Sequence, residues 1–315
     1  MCRRTGIFCI GGGVVTDMSV NIAGVRLKNP VMTASGTFGS GMEYSEFVDL
    51  SRLGAVVTKG VSLTPWEGNS VPRVAETYGG MLNAIGLQNP GIDTFIKRDL
   101  EFLKGYDTAV IVNVCGKTTE EYIGVVERLA DTDTDMLEIN VSCPNVKEGA
   151  IAFGQDPKAL GSITREIKKH AKQPVIMKLS PNVTDIALMA KVCEDAGADA
   201  ISLINTITGM KIDINRRTFV LANKTGGLSG PAIKPVAVRM VYQAAQAVAI
   251  PIIGMGGITS AEDALEFIMA GAAAVAVGAA NFTDPYTTVK VVDGIGEYMR
   301  SNGICSVREL TGCVR

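Results

Sequence analysis

Short apolar runs rich in β-branched residues alternate along the chain with longer stretches whose apolar residues recur at helical spacing. This alternation is typical of βαβ units and predicts a parallel sheet. The runs are apolar at successive positions, as expected for strands that are covered on both faces. The predicted strands are Val31–Ala34, Ala55–Lys59, Ala109–Val114, Met136–Val141, Val175–Leu179, Ala200–Asn205, Pro251–Met255 and Ala274–Gly278.

Helix start and stop signals lie between these runs. Asp156-Pro157 and Asp284-Pro285 each place a capping Asp before a Pro, which is preferred at the first helical position. Helices are also predicted over Thr118–Ala130, Thr184–Ala196 and Ser260–Ala270, and the last two end just before a glycine.

Eight strand–helix repeats favour a closed (β/α)8 TIM barrel, an α/β fold, over an open doubly wound sheet. The open sheet is disfavoured because no G-x-G-x-x-G follows the first strand. Ser19–Asn29 predicts a short hairpin at the bottom of the barrel. We expect residues 18–315 to form this single domain. Residues 1–17 lack the apolar length and cleavage site of a signal peptide and are predicted to be a disordered extension.

Charge and cysteine content narrow the function classes. The chain has 30 Lys and Arg residues against 32 Asp and Glu residues, which disfavours nucleic acid or an anionic membrane as a partner. Its 7 cysteines are scattered and form no C-x-x-C pair. A disulfide framework, a metal site and a four-cysteine iron–sulfur site are therefore disfavoured, and a reducing cytoplasm is expected. No apolar run approaches the ~20 residues of a membrane span.

Polar residues and glycines end nearly every predicted strand. Active sites of β/α barrels are built at these carboxyl ends, and packing alone does not explain so many polar residues on one face. In chain order, the residues at the strand ends are Ser35 with Gly36, Lys59 with Gly60, Asn113, Asn140 with Cys143, Lys178, Asn205 with Thr206, Gly256 with Gly257, and Gly278 with Ala279.

The turns after the last two strands read GMGGI and VGAAN. Loops at this position of a β/α barrel commonly bind a phosphate through backbone N–H groups. A Gly-Gly turn alone is more often only a turn, and its position after strand seven is what raises its significance. The pattern predicts a phosphate site, whose ligand can be a flavin, a sugar phosphate or a nucleotide.

Lys178 ends the fifth predicted strand, in VIMKLSPN. A lysine at a strand end often extends to the surface, but the apolar run before Lys178 directs it to the barrel mouth. There it can stabilise a developing anion, such as a reduced flavin, or form a Schiff base as in an aldolase.

Cys143 follows the fourth predicted strand, and the loop after it contains Gly149 and Gly154, which can act as hinges. Most cysteines are inert apolar filler, an interpretation that suits Cys193 on its apolar helix. At Cys143 the strand has ended, so a thiolate there can act as a base. His170, the only histidine, is predicted to be a solvated helix end, which disfavours a Ser-His-Asp triad and a histidine base.

Several segments resemble the class 1 dihydroorotate dehydrogenases, and the resemblance extends from about Met18 to the last residue. The segments are NAIGLQNPG (83–91), EINVSCPN (138–145), MKLSPN (177–182), LINT (203–206), GGLSGPAIKP (226–235) and GMGGI (254–258). NTITGMKID (205–213) and the stretch 226–243 are similar to the NAD-linked type B catalytic subunits more than to the fumarate-linked type A enzymes. Class 2 enzymes use a serine base, so Cys143 disfavours that class. The residues before Met18, and Cys115, depart from the family pattern.

The resemblance implies that FMN lies across the barrel mouth and that dihydroorotate binds beside it. The implied FMN contacts are Ser35, Lys59, Gly60, Asn113, Asn140, Lys178, Ile204, Gly230, Gly256, Gly257, Gly278 and Ala279. The implied substrate contacts are Lys59, Asn83, Ala84, Ile85, Gly86, Leu87, Asn140, Asn205 and Thr206. Asparagine amides offer donors and acceptors to a pyrimidine ring, and Lys59 offers positive charge.

In the mechanism that the resemblance implies, Cys143 removes a proton from C5, a hydride leaves C6 for the flavin, and Lys178 stabilises the resulting negative charge. Orotate formed in this way serves UMP biosynthesis. Electrons would reach NAD⁺ through a partner subunit with FAD and a [2Fe–2S] cluster, in a heterotetramer of two catalytic and two electron-transfer subunits. The alternatives are a fumarate-linked type A enzyme, a Schiff-base aldolase using Lys178, and a barrel that binds FMN or pyrimidines without turnover.

Overall fold

A computed structural model describes residues 16–141 and 150–314 of the chain. The strands in these ranges are β1 (Val20–Ile22), β2 (Val25–Leu27), β3 (Val31–Thr33), β4 (Ala55–Val57), β5 (Val74–Thr77), β6 (Gly80–Asn83), β7 (Ala109–Val114), β8 (Met136–Asn140), β9 (Val175–Lys178), β10 (Ala200–Leu203), β11 (Ile207–Met210), β12 (Ile212–Asp213), β13 (Thr218–Phe219), β14 (Thr225–Ser229), β15 (Ile252–Met255) and β16 (Ala274–Val277).

Helices lie between the parallel barrel strands along the chain. They are α1 (Ile92–Thr94), α2 (Glu101–Leu103), α3 (Thr119–Leu129), α4 (Ala150–Gln155), α5 (Pro157–His170), α6 (Ile186–Asp195), α7 (Lys234–Ala247), α8 (Ala261–Ala270), α9 (Ala280–Thr283) and α10 (Thr287–Ser301). A π-helical stretch, Phe95–Leu100, joins α1 to α2, and 3-10 turns lie at Tyr44–Glu46, Leu50–Arg52, Pro231–Ile233 and Val307–Glu309. None of the helices in the described ranges is both long enough and apolar enough to cross a membrane.

Eight of the strands pair in parallel and close into a barrel. The order around the barrel is β3, β4, β7, β8, β9, β10, β15 and β16, and β16 then pairs with β3, where Val277 lies opposite Thr33. All eight predicted strands are confirmed, with ends that differ by a residue or two. The predicted (β/α)8 barrel is therefore confirmed over the open sheet.

The core fills the barrel interior and the layer between the barrel and its helices. Strands β4, β8, β9 and β16 are buried at every position, because one face of each meets the interior and the other meets the helices. The helices bury only one face. In α3, Tyr122, Val125 and Leu129 are buried while Glu127 and Arg128 are exposed, as the helical period of 3.6 residues requires.

Capping side chains explain where several helices begin. Asp156 accepts a hydrogen bond from the N–H of Ala159 at the start of α5, as predicted. Ser260 and Asp263 cap α8 reciprocally. The predicted start of α6 at Thr184 is two residues early, because Asp185 is the residue that caps this helix.

The predicted helix start at Asp284-Pro285 is wrong. Asp284 follows α9, and α10 begins only at Thr287. The Asp284 carboxylate accepts from the N–H of Tyr286 and binds Lys290 at 2.6 Å instead of capping a helix. Asp284 does bind a backbone N–H, as a capping Asp does. The N–H that it binds belongs to a turn and not to the first turn of a helix.

The predicted hairpin is confirmed as β1 and β2, which pair in antiparallel orientation. Its side chains Ile22 and Leu27 are almost completely buried in the main core. Lys28, just after the hairpin, donates to the Ser51 carbonyl at 3.0 Å, and Ser51 precedes β4. The hairpin therefore lies at the amino ends of the barrel strands and closes that end with apolar side chains.

The predicted boundary between an extension and the barrel stays a prediction, because residues 1–15 lie outside the described ranges. Asp17, which we assigned to the extension, is bonded to the barrel's last segment. Its N–H donates to the Cys305 carbonyl at 2.7 Å, and its carboxylate pairs with Arg308 at 3.0 Å. The hydrogen bonds that Ser19 donates hold the pKa of Asp17 below its usual value.

A four-stranded antiparallel sheet, in the order β11, β14, β6, β5, lies at the carboxyl ends of the barrel strands. Strands β5 and β6 follow barrel strand β4 in the chain, whereas β11 and β14 follow β10. We did not predict this sheet, because its strands are short and interrupted by glycines. It forms a wall above the barrel mouth.

We expect Ile22→Ala to lower the free energy of unfolding by about 2–5 kcal/mol, because the buried hairpin side chain leaves a cavity when it is truncated. Arg26→Ala on the same hairpin is the control, since Arg26 is exposed, and it should change stability by no more than about 0.5 kcal/mol. Urea denaturation measures both. Equal losses would show that the hairpin does not plug the barrel.

Candidate active site

A cavity of about 380 Å³ opens at the carboxyl ends of the barrel strands. The strand ends form its floor, and β5, β6 and β14 contribute Val74, Met81 and Ser229 to its wall. Sites of β/α barrels lie at this face, and small-molecule pockets commonly measure roughly 300–1,000 Å³. The cavity therefore has the place and the size of a ligand site.

Most of the contact residues predicted from the sequence line this cavity. They are Ser35, Lys59, Asn83, Ile85, Gly86, Leu87, Asn140, Lys178, Ile204, Asn205, Thr206, Gly230, Gly256, Gly257, Gly278 and Ala279. Gly60, Ala84 and Asn113 are buried and do not line the cavity. Cys143 lies outside the described residues. The fold thus brings the predicted set together, and the individual contacts stay predictions.

The turn after β15 is shaped by two glycines with left-handed backbone angles. Gly256 has φ +128° and Gly257 has φ +82°. A Cβ on Gly256 would lie 2.8 Å from the Cβ of Ala237, and one on Gly257 would lie 2.8 Å from the carbonyl oxygen of Gly230. Only glycine fits both positions. The backbone is thereby exposed to the cavity, as a phosphate cradle requires.

Lys234 holds this glycine turn from behind. Its ammonium lies 2.6 Å from Asp263 and 2.7 Å from Glu266, so the start of α7 is tied to α8 on either side of the turn. The hydrogen bond with Asp263 raises the pKa of Lys234 above its usual value. The turn is therefore fixed by one ammonium and two carboxylates that lie outside the cavity lining.

Lys178 ends β9 and is 4% exposed, so it does not extend to bulk solvent. Its Nζ lies 3.5 Å from Oε1 of Glu138, which is 1% exposed. Strand alternation directs Lys178 inward, as in the sequence prediction. A buried cation with a fixed carboxylate partner therefore lies at the cavity floor.

Glu138 and Ser202 were missed in the sequence analysis. Glu138 accepts from Nδ2 of Asn113 at 2.6 Å and from Oγ of Ser202 at 2.7 Å. A signal was available: Glu138 precedes Asn140 by two positions on the same strand, so both side chains point to the same face. A carboxylate inside an apolar strand indicates a buried polar network.

The rim residues are anchored by their neighbours. The Tyr122 hydroxyl, fully buried, donates to the carbonyl of Asn140 at 2.8 Å. Asn182 donates to the carbonyl of Thr206 at 3.1 Å and accepts from the N–H of Thr208 at 3.0 Å. These bonds fix the backbone of the two strand ends from outside the cavity.

The wall above the mouth packs directly on the rim. A Cβ on Gly227 of β14 would lie only 1.9 Å from Oγ1 of Thr206, so glycine is required there. Asn83 of β6 donates to the Gly227 carbonyl at 3.4 Å. Arg73, which we did not single out from the sequence, also lines the cavity. It was missed because the sheet that carries its neighbours was not predicted.

The remaining candidates have the expected structural roles. His170 ends α5 with its Nδ1 2.8 Å from Glu127, far from the barrel mouth, which confirms it as a helix end. Cys193 is fully buried on α6, and burial raises the pKa of its thiol to about 12. Neither residue lines the cavity.

These features define a β/α barrel whose ligand site lies at the carboxyl ends of its strands. The family model for dihydroorotate dehydrogenase matches residues 17–299. The chain therefore belongs to the dihydroorotate dehydrogenase family, and the resemblance inferred from the motifs is confirmed.

Curated relatives match over almost their whole length. The catalytic subunit of dihydroorotate dehydrogenase B (NAD(+)) from Lachnoclostridium phytofermentans is 72% identical over 299 residues, which cover 95% of this chain and 100% of the relative. The subunit of the same name from Alkaliphilus metalliredigens is 61% identical over 296 residues, with 94% and 98% covered. A solved DHODH from Eimeria tenella in complex with ferulenol shares the fold, with TM-score 0.78 at 23% identity and coverages of 94% and 88%.

We expect Gly256→Ala to lower the free energy of unfolding by about 1–3 kcal/mol, because its positive φ and its contact with Ala237 both resist a side chain. Gly278→Ala is a matched control in the neighbouring turn, where an added Cβ meets Ala34 at an ordinary 3.5 Å. It should change stability by less than about 1 kcal/mol. Urea denaturation of both variants tests this, and similar losses would contradict it.

Proposed function

We propose that this chain oxidises dihydroorotate to orotate for UMP biosynthesis, as the FMN-binding catalytic subunit of an NAD-linked type B enzyme. Membership of the dihydroorotate dehydrogenase family supports the reaction, and the names of the curated relatives support the NAD-linked type B. The observation that carries the proposal is the cavity floor. The buried Lys178 and the amides of Asn140 and Asn205 line the same cavity as the glycine turns, which suits an anionic planar ligand beside a phosphate.

The residues present fit FMN. The turns at Gly256, Gly257, Gly278 and Ala279 offer backbone N–H groups and the space that side chains would fill. Lys178 lines the same cavity as a cation that is paired with Glu138. The chemistry that bound FMN supplies is acceptance of the hydride from C6 of dihydroorotate. The protein supplies binding, orientation and charge.

The polar residues suit a carboxylated pyrimidine. Asn140 and Asn205 offer amide donors and acceptors to the ring, and Thr206 adds a hydroxyl. Lys59 supplies positive charge for the carboxylate, and the Asn83–Leu87 segment closes the adjoining wall. We assign Cys143 the role of the base that takes a proton from C5, from its place after β8 and from the family resemblance.

The alternative functions are less well supported. The pairing of Lys178 with the Glu138 carboxylate at 3.5 Å suits a fixed cation better than the amine nucleophile of a Schiff-base aldolase. The names of the most similar curated relatives favour the NAD-linked enzyme over the fumarate-linked type A. A barrel without turnover would need no base at Cys143.

We further propose that a partner subunit with FAD and a [2Fe–2S] cluster relays electrons to NAD⁺, in a heterotetramer of two catalytic and two electron-transfer subunits. The sequence contains no G-x-G-x-x-G between a strand and a helix, and its cysteines form no iron–sulfur pattern. The words "catalytic subunit" in the relatives' names support a partner. Cys193, Cys305 and Cys313 are free thiols, which fits a reducing cytoplasm.

We expect Cys143→Ala to lower the turnover of dihydroorotate by about 10²–10⁴-fold near neutral pH while FMN stays bound, because a general base is lost. Cys305→Ala is the control, since Cys305 is an exposed thiol far from the cavity, and it should keep the wild-type rate. Steady-state assays with a dye acceptor and the flavin absorbance of each protein measure the two effects. A Cys143→Ala enzyme with more than a tenth of the wild-type rate would show that another group is the base.

The function itself is tested with the purified chain. We expect yellow, FMN-containing protein that oxidises dihydroorotate with a dye but not with fumarate or NAD⁺. Activity with NAD⁺ should appear when an electron-transfer subunit is added. Absence of flavin binding would overturn the proposed function, whereas efficient reduction of fumarate or NAD⁺ by the chain alone would overturn only the partner.

A further inference from the structure

The loop that follows β6, residues 84–89, runs along the cavity, and we name it the β6 loop. Four of its residues line the cavity: Ile85, Gly86, Leu87 and Gln88. Asn69 does not line the cavity and binds two carbonyls of the β6 loop. Its Nδ2 donates to the Ala84 carbonyl at 3.0 Å, and its backbone N–H donates to the Ile85 carbonyl at 2.9 Å. These two carbonyls are therefore turned away from the cavity.

Asn89 holds the second half of the β6 loop. Its Nδ2 donates to the Leu87 carbonyl at 2.8 Å, and its Oδ1 accepts from the N–H groups of Ser62 at 3.1 Å and Gly91 at 2.9 Å. These partners fix the direction of the amide locally, because a backbone carbonyl only accepts and a backbone N–H only donates. Asn89 is buried and lies outside the cavity lining. The Leu87 carbonyl is therefore turned away from the cavity as well.

The opposite sides of the same peptides carry N–H groups. In a planar trans peptide, the N–H points opposite to the carbonyl of the preceding residue. The N–H groups of Ile85, Gly86 and Gln88 are therefore directed to the cavity side of the β6 loop. None of these three groups donates to another described residue. N–H groups that face one side in this way form a concavity that binds anions.

The backbone conformation of the β6 loop depends on its neighbours. Gly86 has φ +76° and Leu87 has φ +55°, a left-handed conformation that is unfavourable for leucine. The Leu87 side chain is held by its packing with Cys115 and Trp66. The hydrogen bond from Asn89 holds the Leu87 carbonyl. This bond therefore fixes the orientation of the peptide that follows Leu87.

We propose that Asn89 is a positioning residue for the substrate: it holds the Leu87 carbonyl outside the cavity and so keeps the N–H groups of the β6 loop directed at the carboxylate of dihydroorotate. The inference rests on the proposed function, because it assigns the place of the substrate's anionic group. If the peptide after Leu87 turned over, a carbonyl oxygen would face that carboxylate, and two acceptors form no hydrogen bond. Asn89 acts only through the peptide that it holds.

The test begins with Asn89→Asp, which keeps the shape of the side chain and its accepting Oδ1 but replaces the donor to Leu87 with a second acceptor. We expect the FMN-loaded variant to bind orotate at least about tenfold more weakly in calorimetric titration. The KM for dihydroorotate should rise by a larger factor than kcat falls, because the lost interaction is made by the bound substrate as well as in the transition state. The flavin absorbance should show that FMN is retained.

Ser62→Ala is the matched control. The Ser62 hydroxyl is fully buried, accepts from Nδ2 of Asn89 at 2.8 Å and donates to the Thr64 carbonyl at 2.6 Å. Its removal takes two buried hydrogen bonds from the surroundings of Asn89 but leaves the bond to Leu87. We expect a lower Tm with orotate affinity within about threefold of wild type. A merely structural role for Asn89 predicts that both variants lose affinity as their Tm falls.

Two further measurements keep the proposal testable if Asn89→Asp does not fold. Asn89→Ala removes the same donor without adding a buried charge, and we expect the same loss of orotate affinity. Hydrogen exchange of the FMN-loaded wild-type protein needs no variant. The unpaired N–H groups of the β6 loop should exchange rapidly without orotate and become protected when orotate binds. The N–H groups of Ala84 and Asn89, which donate to the carbonyls of Arg73 and Trp66, should be protected in both states.

Wild-type orotate affinity in a folded Asn89 variant would overturn the proposal, and so would an equal loss of affinity in Ser62→Ala. Orotate that binds without protecting the β6 loop would also overturn it. Wild-type protein that neither binds orotate nor oxidises dihydroorotate would overturn the proposed function instead.

Discussion

Closure of the parallel barrel is the constraint on which the other features of the molecule depend. In a ring of parallel strands, all carboxyl ends lie at one rim and all amino ends lie at the other. Strand alternation then directs every second side chain inward. Asn113, Glu138, Lys178 and Ser202 come from four neighbouring strands of the barrel, and their common inward direction brings the other three side chains to Glu138. At the opposite end the hairpin side chain Ile22 fills the interior.

The upper part of the barrel interior carries an energetic cost that the apolar lower part does not. Glu138 and Lys178 are both withdrawn from water, and desolvation costs several kcal/mol for each ion unless it is paired and hydrogen-bonded. Glu138 meets this condition through Lys178, Asn113 and Ser202. Well-packed apolar residues in place of such a pair are often neutral or stabilising. Stability alone therefore does not explain why this pair is present. The position of Lys178 in the lining of the cavity explains it.

The sequence allowed the barrel to be predicted because its signals are local. Apolar runs, capping residues and glycines each act within a few positions, and the ring of strand ends follows from them. The sheet above the mouth was not predictable in this way. Gly227 must be glycine because Thr206, distant in the chain, would meet its Cβ. Glu138 was missed for a different reason. The prediction used only the residues at the strand ends, whereas Glu138 lies two positions before Asn140 and points to the same face of β8.

The charged residues are distributed unevenly between the cavity and the rest of the protein. The chain has a formal net charge of -2, yet the described residues that line the cavity include the cations Lys59, Arg73 and Lys178 and no Asp or Glu. Glu138 lies just behind the floor, where it pairs with Lys178 without facing the ligand. A cavity of this kind within low-dielectric walls concentrates positive potential. Both the phosphate of FMN and the carboxylate of dihydroorotate are anions. An acidic protein can therefore attract two anionic ligands because its carboxylates are kept out of the described cavity lining.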